Sequence, residues 1–307
     1  MSLELLILGS NSAAFAHRRH HTSQLLTIQG KQFLIDCGEG TQLLMKRNKV
    51  KLSRIDHILI SHLHGDHYFG LIGLLSTMHL FGRKKDLLLI GPPGLKEIIQ
   101  LQLRYSETSL NFKITFIEFH PGEKELIYDH PKFTITSISM DHRVPCSGYI
   151  FREKPKKRRI NRNRLPEVKL STLDIIRLKD GEDIFNSDDS IRYENKLLTL
   201  DPNPSFSYAF FSDTRLQAHL SSEIQYVDML YHEATFANDM KDRARQTYHT
   251  TAEEAAKFAK EAGVGKLILG HFSARYKELD SIINEAKAVF SNTELAIEGM
   301  KFTVDGK

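Results

Sequence analysis

The 307-residue sequence predicts a layered α/β fold, in which helices cover packed β-sheets. Short apolar runs rich in Leu, Ile and Phe recur at strand length along the chain. In the first third these runs follow one another closely, as in hairpins, whereas in the last third they alternate with helical patterns. This mixture favours stacked sheets with helices on the outside.

The apolar runs predict twelve strands, and periodic segments between them predict further helices. The predicted strands are Leu3–Leu8, Gln24–Ile28, Phe33–Ile35, His57–Ile60, Leu87–Ile90, Lys113–Glu118, Phe133–Ile138, Tyr149–Phe151, Tyr208–Phe211, Met229–Tyr231, Lys266–Leu269 and Leu295–Ile297. The predicted helices are Thr41–Asn48, Gly70–Leu80, Leu95–Leu103 and Leu279–Val289.

The clearest helical pattern lies between Thr251 and Gly263. Thr251 and Glu254 have the spacing of a capping box, and Gly263 suits the left-handed residue that ends a helix. Alanines dominate one face of this segment, and they allow a helix to pack closely on a sheet. Those alanines are Ala252, Ala255, Ala256, Ala259 and Ala262.

The composition favours a globular enzyme over a fibrous, disordered or membrane-spanning protein. Hydrophobic residues make up 41% of the chain, yet none of their runs approaches the roughly 20 residues that a membrane span needs. Cys37 and Cys146 are too few for a disulfide framework. The first residues resemble a strand and lack the basic start of a signal peptide. We therefore expect a cytoplasmic protein.

Positive charge is concentrated in one segment, although the formal net charge of the whole chain is only +4. The stretch from Arg152 to Arg164 contains eight Lys or Arg residues and one acid, Glu153. The polar sequence that follows continues to about residue 205 and interrupts the pattern of strands. We interpret residues 152–205 as a partly ordered insertion that projects from the body of the protein.

The strongest functional signal is the segment His62-Leu-His64-Gly-Asp66-His67, which follows an apolar strand. Imidazole and carboxylate groups together suit zinc and similar divalent ions. The spacing allows a tight loop to direct His62 and His64 at one metal and Asp66 and His67 at a second. A solvated polar loop does not account for three histidines packed after a buried strand.

Three further strand ends carry residues of the same chemistry. His142, Asp213 and His271 each follow an apolar run in the second half of the chain. Any one of them alone would be an ordinary loop residue. With the His62–His67 segment, four strand ends carry such residues. Their number favours one shared centre that binds two metal ions.

The H-x-H-x-D-H segment is followed along the chain by a histidine, an aspartate and a histidine. These motifs, in this order, resemble those of the metallo-β-lactamase superfamily. The resemblance implies an αβ/βα four-layer sandwich over residues 1–307, with an inserted protruding arm at 152–205. It implies two zinc ions per subunit, with manganese as an alternative, and a supporting role for Asp36. One ion would bind His62, His64 and His142, the other Asp66, His67 and His271, and Asp213 would bridge them.

Three sequence motifs nearer the carboxyl terminus are more specific than the metal-binding motifs. They are His232-Glu233-Ala-Thr-Phe236, His249-Thr-Thr251 and Gly270-His271-Phe-Ser-Ala-Arg275-Tyr276. Together they look like those of the tRNA 3′-processing endonucleases, the ribonuclease Z family, and the similarity extends over nearly the whole chain. The resemblance implies removal of the 3′ trailer from precursor tRNA, leaving a 3′-hydroxyl on the tRNA and a 5′-phosphate on the trailer.

The same resemblance implies catalytic roles for three residues. Asp66 would help to orient the attacking hydroxide, and Glu233 would hold His249, which would protonate the leaving 3′-oxygen. Arg275 would contact a substrate phosphate. We also expect a homodimer, because the family is commonly dimeric.

The arm is expected to grip tRNA, with Lys156, Lys157, Arg158 and Arg159 as candidate phosphate contacts. This sequence departs from the family here, since a Lys/Arg cluster replaces the usual Gly-Pro-rich stretch. Ala13-Ala14-Phe15 also replaces an expected Pro-Thr, and Ser212 replaces a Gly. For the basic loop at residues 17–21, substrate contact and plain solvation both stay open.

Two other functions compete with this interpretation. A phosphodiesterase or another two-metal hydrolase acting on small molecules would share all seven ligands, but would not need the Glu233 and His249 pair. A non-catalytic RNA-binding module would keep the basic arm, but a decayed enzyme usually loses some of its ligands.

Overall fold

The computed structural model describes residues 3–305, which separate into two compact units. The larger unit extends to Arg152 and resumes at Phe206, and the smaller unit is Glu153–Ser205, which we call the arm. The predicted insertion starts one residue before this boundary. Within the described residues, no helix is long and apolar enough to cross a membrane.

Two seven-stranded sheets form the larger unit. The first contains, from edge to edge, β18 (Lys301–Val304), β1 (Leu3–Gly9), β2 (Ser23–Ile28), β3 (Lys31–Ile35), β4 (Ile55–Leu59), β5 (Leu87–Gly91) and β6 (Ile114–Glu118). The second contains β17 (Thr293–Leu295), β16 (Lys266–Gly270), β15 (Met229–Glu233), β14 (Ser207–Phe211), β9 (Ser147–Glu153), β8 (Phe133–Ser139) and β7 (Glu125–His130).

Seven α-helices accompany these sheets in the described part of the larger unit. They are α1 (Thr41–Arg47), α2 (Gly65–Tyr68), α3 (Leu71–Leu80), α4 (Leu95–Tyr105), α7 (Lys241–Thr247), α8 (Ala252–Glu261) and α9 (Asp280–Val289). Short 3₁₀ turns lie at Leu52–Arg54, Ala218–Ile224 and Asn238–Met240.

Aromatic side chains pack the two sheets against each other. Phe33 of β3 lies edge-on to Phe133 of β8 and Phe151 of β9, with ring centroids 5.6 and 5.4 Å apart. All three rings are fully buried. Such edge-to-face pairs add to the free energy gained by burying their large apolar surfaces. The inter-sheet core therefore fixes the distance at which the ends of the strands meet.

Helices cover the outer face of each sheet. Leu71, Leu74 and Leu75 of α3 belong to a buried cluster with strands of the first sheet. On the second sheet, the alanine face of α8 packs in another cluster, with Ile282 of α9. The order of layers is thus helix, sheet, sheet, helix. This confirms the predicted four-layer sandwich.

The capping box and the helix stop predicted for α8 are both present. The Thr251 hydroxyl accepts a hydrogen bond from the Glu254 amide, and the Glu254 carboxylate accepts one from the Thr251 amide. Gly263 adopts a φ of 63°, in the left-handed region.

In the larger unit, strands β7 and β18 and helices α2 and α7 were missed by the sequence prediction, which expected a loop in place of α2. In β7 only Ile127 is buried, and in β18 only Phe302, so neither strand carries a continuous apolar run. Both lie at sheet edges, where one side of the strand faces solvent. Their pattern is therefore too polar to be recognised as a strand.

The arm has its own secondary structure and a small apolar core. It contains α5 (Thr172–Asp180), α6 (Asn195–Leu198), a 3₁₀ segment (Arg162–Glu167) and four short strands: β10 (Arg159–Ile160), β11 (Ile184–Phe185), β12 (Ile191–Tyr193) and β13 (Thr199–Leu200). Leu178, Ile184 and Leu198 are buried together. Ser171 and Asp174 form a capping box at the start of α5.

We predict that Ala256→Leu destabilises the protein by about 1–3 kcal/mol, because a larger side chain would overpack the buried face of α8. The free energy of unfolding in urea measures this effect. Lys257→Leu is the matched control, since it places the same side chain on the exposed face of the same helix. Equal stability of the two variants would contradict close packing of α8 on the sheet.

Candidate metal centre

The loop after β4 brings three histidines and an aspartate together. His62 is fully buried, and its Nε2 lies 3.1 Å from Nδ1 of His64. The chain then turns into the short helix α2, which carries Asp66 and His67. Nε2 of His67 lies 3.6 Å from the Asp66 carboxylate. The H-x-H-x-D-H spacing therefore places all four side chains around one small space.

The second sheet supplies the remaining residues from the ends of three strands. His142 follows β8, Asp213 follows β14 and His271 follows β16. Nε2 of His142 lies 3.2 Å from Nδ1 of His64, and Nε2 of His271 lies 3.3 Å from Nε2 of His67. Asp213 lies between the two pairs, with its carboxylate 3.7 Å from His62 and 3.1 Å from His271.

The seven side chains fall into two groups of potential ligand atoms, and a third group combines Asp213 and His271 with His249. Within each group the atoms lie no more than 4.8 Å apart. One group is His62, His64, His142 and Asp213, and the other is Asp66, His67 and His271. These groups match the two sets implied by the family resemblance, but the assignment of ligands stays a prediction.

In His62 and His67, hydrogen bonds to Nδ1 on the outer side of the ring leave Nε2 facing the centre. Nδ1 of His62 lies 3.0 Å from the Ser61 hydroxyl, and Nδ1 of His67 lies 2.7 Å from the Asp36 carboxylate. If these nitrogens carry the ring protons, the Nε2 lone pairs point into the centre. Asp36 thus has the supporting position predicted for it.

The outer nitrogens of His142 and His271 are held in the same way. Nδ1 of His142 lies 3.2 Å from the backbone carbonyl of Tyr248, and Nδ1 of His271 lies 2.9 Å from the Thr235 hydroxyl. Partners of this kind orient metal-binding histidines in proteins. The role of the Tyr248 carbonyl could not be seen in the sequence, because any residue type offers that oxygen.

The residues at the centre fit divalent metal ions. Lone pairs on facing ring nitrogens repel one another at 3.1–3.3 Å unless a proton or a cation lies between them. Oδ1 of Asp213 is buried and accepts no well-aligned hydrogen bond in the described part of the chain, although Nε2 of His271 and Nε2 of His67 lie 3.1 and 3.4 Å away. A buried carboxylate oxygen without a donor is costly, and a cation would satisfy it.

Burial and charge set the protonation of the candidate ligands. Burial lowers the pKa of His142 to about 4 and that of His62 well below its ordinary value, so both rings are neutral, as metal binding requires. His67 differs. Burial would lower its pKa, but the carboxylates of Asp213, Asp66 and Asp36 raise it well above the usual range. In the absence of a metal cation, a proton on His67 thus compensates the negative charge of these carboxylates.

A carboxylate–imidazole pair lies beside the two groups. The Glu233 carboxylate is fully buried at the end of β15, and its Oε1 accepts a hydrogen bond of 2.9 Å from Nδ1 of His249. The amides of Thr214 and Thr250 donate to the same oxygen, and Thr235 donates to the other through its amide and hydroxyl. Glu233 is therefore fixed as an ionised acceptor.

His249 has the protonation state expected of a general acid, and Glu233 has that expected of the carboxylate that supports it. Burial would lower the pKa of His249, but the charge of Glu233 and the hydrogen bond raise it to about 9. Burial would raise the pKa of Glu233, but His249 keeps it below its ordinary value. His249 is therefore protonated at neutral pH, and its Nε2 is the nitrogen left for a substrate.

Contacts of Arg215 hold the segment before His249. The Arg215 guanidinium lies 3.9 Å from the centre of the Tyr248 ring and forms an ion pair of 2.9 Å with Asp141. Tyr248 adopts a left-handed φ of 62°. This stacking and ion pairing link the residues that precede His142 and His249.

An open cavity of about 560 Å³ is lined by His249 and by four of the seven candidate ligands: His64, Asp66, Asp213 and His271. Its lining includes six residues that the sequence did not single out as site residues: Ser12, Ala13, Glu39, Gly65, Phe69 and Arg143. The Ala13 amide donates a hydrogen bond of 2.7 Å to the Asp66 carboxylate. A backbone donor carries no sequence signal, so this contact could not be predicted.

The basic first loop lies partly at the cavity and partly against the chain after His271. His21 lines the cavity. Nε2 of His17 lies 2.9 Å from the Ala274 carbonyl, and the Arg19 guanidinium donates to the Lys277 carbonyl. His20 pairs with Glu298. These contacts give most of the loop a structural role.

The predicted substrate contacts do not all lie at the cavity. Arg275 is exposed but is not part of the cavity lining. Lys156, Lys157 and Arg158 belong to the arm, where they form ion pairs with Glu153, Asp180 and Asp201, respectively. Nε of Arg159 donates to the Asp201 carbonyl.

Comparison with known proteins identifies the family. A "Ribonuclease Z" from Cytophaga hutchinsonii is 46% identical over 307 residues, which are 100% of this chain and 98% of that protein. The chain belongs to the ribonuclease Z family. The family predicted from the motifs is therefore confirmed.

Solved structures agree with this membership. The human tRNase Z, short form, is 25% identical to this chain, with a TM-score of 0.72 and coverage of 97% of this chain and 98% of that one. A metallo-β-lactamase fold protein from Bacillus subtilis shares the fold, with a TM-score of 0.68 at 21% identity and coverage of 99% and 100%. The family model described as "Anti-Pycsar protein Apyc1" matches residues 3–155.

We predict that Asp213→Ala lowers metal content by at least one ion per chain, because it removes the carboxylate that lies between the two groups. Metal analysis of the purified variant after zinc loading and dialysis measures this. Glu39→Ala is a suitable control, since Glu39 is an exposed acid of the cavity lining that belongs to none of the groups of potential ligands. Full metal content in Asp213→Ala would contradict a bridging position.

Proposed function

We propose that this protein is a metal-dependent endoribonuclease that removes the 3′ trailer from precursor tRNA. The observation that carries the proposal is the Glu233–His249 pair, fixed at the edge of the cavity that both groups of candidate ligands border. A metal site alone suits many hydrolases. A protonated imidazole beside it suits a reaction whose leaving group is an alkoxide, as in cleavage of an RNA chain.

The two ligand groups would hold zinc, two ions per subunit, with manganese as an alternative. When bound, such ions polarise the phosphate and lower the pKa of water toward about 7. Zinc is supported by the donor set, which contains imidazole nitrogens and carboxylate oxygens without a thiolate ligand.

The residues of this chain would orient the nucleophile and protonate the leaving group. Asp66, held by the Ala13 amide, would orient the hydroxide that attacks phosphorus on the side opposite the leaving group, after the attacking water has lost a proton to solvent. Nε2 of His249 would give its proton to the 3′-oxygen as the P–O3′ bond breaks. The products are a 3′-hydroxyl on the tRNA and a 5′-phosphate on the trailer, which contains the oxygen of the attacking water.

The arm supplies a basic groove of about 810 Å³. Its lining includes Lys157, Arg158, Arg159, Arg162 and Lys179. The whole arm contains twelve Lys or Arg residues and ten Asp or Glu residues, so its net charge is only +2. We propose that the groove, and not the arm as a whole, binds tRNA phosphates.

Two further proposals follow from membership of the family. A homodimer would bring one subunit's arm to the substrate of the other, and sedimentation of the purified protein tests its existence. The expected cytoplasmic location stays a prediction.

Cleavage of a precursor tRNA with a 3′ trailer tests the function. With zinc or manganese we expect one cut after the acceptor stem, abolished by a chelator, with the predicted end groups. Rapid hydrolysis of a small phosphodiester by a metal-loaded sample that leaves the precursor intact would favour a small-molecule enzyme. Binding of the precursor without cleavage at any metal concentration would favour an RNA-binding module.

We predict that His249→Ala keeps both metals but loses about 10²–10⁴-fold in turnover, the range supplied by a general acid. Metal analysis and single-turnover cleavage of the precursor measure the two effects. His219→Ala is the control, because His219 belongs to none of the candidate metal-binding groups. A His249→Ala enzyme with the normal rate would remove this residue from the mechanism.

The pH profile provides a separate check on His249. Since its pKa is raised to about 9, the protonated acid persists through neutral pH and is lost as the pH rises through that value. Turnover should therefore fall on the alkaline side. In His249→Ala the residual rate should lack that fall, and an unchanged alkaline limb would assign it to another group.

We predict that Arg159→Ala and Arg162→Ala weaken binding of precursor tRNA and reduce its salt dependence. Each lost phosphate contact should lower the slope of log K against log salt by up to about 0.9. Lys196→Ala is the control, since Lys196 is exposed on the arm outside the groove. Equal losses on precursor tRNA and a small phosphodiester would show that the groove residues support the fold.

A further inference from the structure

Phe69 is an apolar side chain on the wall of the cavity. It follows α2 directly, and 63% of its surface is exposed. It lines the cavity together with His64, Asp66 and His249. Burying a phenylalanine normally gains about 1.5–3 kcal/mol, and here most of that gain is absent from the folded chain. The fold therefore gives no reason for an aromatic residue at this position.

The backbone beneath Phe69 holds the ring in place. A Cβ atom at Gly65 would lie only 2.3 Å from the nearest atom of the Phe69 ring. The ring therefore lies against the peptide between His64 and Asp66, where only glycine leaves room for it. On another side, the Tyr68 ring meets it edge to face, with centroids 5.0 Å apart. Phe69 is thus supported on two sides and open on the cavity side.

A positive charge shares this cavity. Arg143 follows the candidate ligand His142, is exposed and lines the same space as Phe69. Aromatic faces combined with cations are the usual means by which proteins hold single-stranded nucleic acid, because bases stack on the rings and cations bind the phosphates. A volume of about 560 Å³ is within the range of sites for small ligands.

We propose that Phe69 stacks on the nucleobase next to the scissile phosphate, and that Arg143 binds a neighbouring phosphate. This subsite rests on the proposed function, since it requires an RNA chain in the cavity. Stacking on Phe69 would hold one base out of the helical stack of the RNA. The scissile phosphate would then be positioned by that base, independently of the sequence around it, because every base has an aromatic face.

Abasic substrates and ring variants together test the subsite. Three precursor tRNAs are compared: an intact one, one abasic at the last tRNA nucleotide and one abasic at the first trailer nucleotide. Each is cleaved by the wild type, Phe69→Ala, Phe69→Leu and Phe69→Trp. Phe81→Ala is the control, because Phe81 is 79% exposed but lies outside the cavity lining. Metal content is measured for every variant.

On the intact precursor, Phe69→Ala and Phe69→Leu should lower kcat/KM by about 5-fold to 150-fold at unchanged metal content. Phe69→Trp and Phe81→Ala should stay within about 2-fold of the wild type. For the wild type, kcat/KM should fall by a similar factor on one of the two abasic precursors. On that precursor, Phe69→Ala should lower kcat/KM no further. That combination assigns the stacked base to one side of the cut.

Equal losses for Phe69→Ala on all three precursors, or no loss on any of them, would overturn the subsite alone. A loss shared by Phe69→Trp would also overturn it, because tryptophan keeps a stacking face. Failure of the wild type to cut any precursor would instead overturn the proposed function, and the subsite with it.

For Arg143, the Arg143→Lys and Arg143→Ala variants provide a matched pair on the intact precursor. Arg143→Ala should weaken binding and reduce its dependence on salt, and Arg143→Lys should restore most of that dependence. An identical salt dependence in the wild type and Arg143→Ala would remove Arg143 from the subsite.

Discussion

The site depends on one buried carboxylate, that of Glu233. Its two oxygens accept five hydrogen bonds, from the amides of Thr214, Thr250 and Thr235, the Thr235 hydroxyl and His249. These donors come from the chain after β14, the chain after β15 and the start of α8. A single charged group thus aligns three segments, and its loss would leave several buried donors unsatisfied. Because Thr235 also holds His271, the same carboxylate reaches the candidate metal ligands through one hydroxyl.

The fold makes this convergence possible. In each sheet several neighbouring strands are parallel, so their carboxyl ends meet at one edge. The buried aromatic core sets the separation of the two sheets, and the loops from both edges then share one space. The candidate ligands therefore combine a local cluster, contributed by the loop after β4, with single residues from three distant strand ends.

Much of this arrangement could be predicted from the sequence, because the residue types that bind metals are few and follow apolar strands. Contacts made by backbone atoms could not be predicted, since the Tyr248 carbonyl and the Ala13 amide have no signature of their own. The arm shows a further limit. Its basic run is conspicuous in the sequence, but Asp180 and Asp201, which neutralise part of it, lie about 20 to 45 residues away along the chain. Only folding brings them together.

The central claim is that seven side chains form one centre for two metal ions beside His249. Anomalous diffraction at the zinc absorption edge from crystals of the zinc-loaded protein tests it most directly. We expect two peaks, one bound by His62, His64 and His142, the other by Asp66, His67 and His271, with Asp213 in contact with both. A single peak, or a peak bound by His249 in place of one of these groups, would contradict the account.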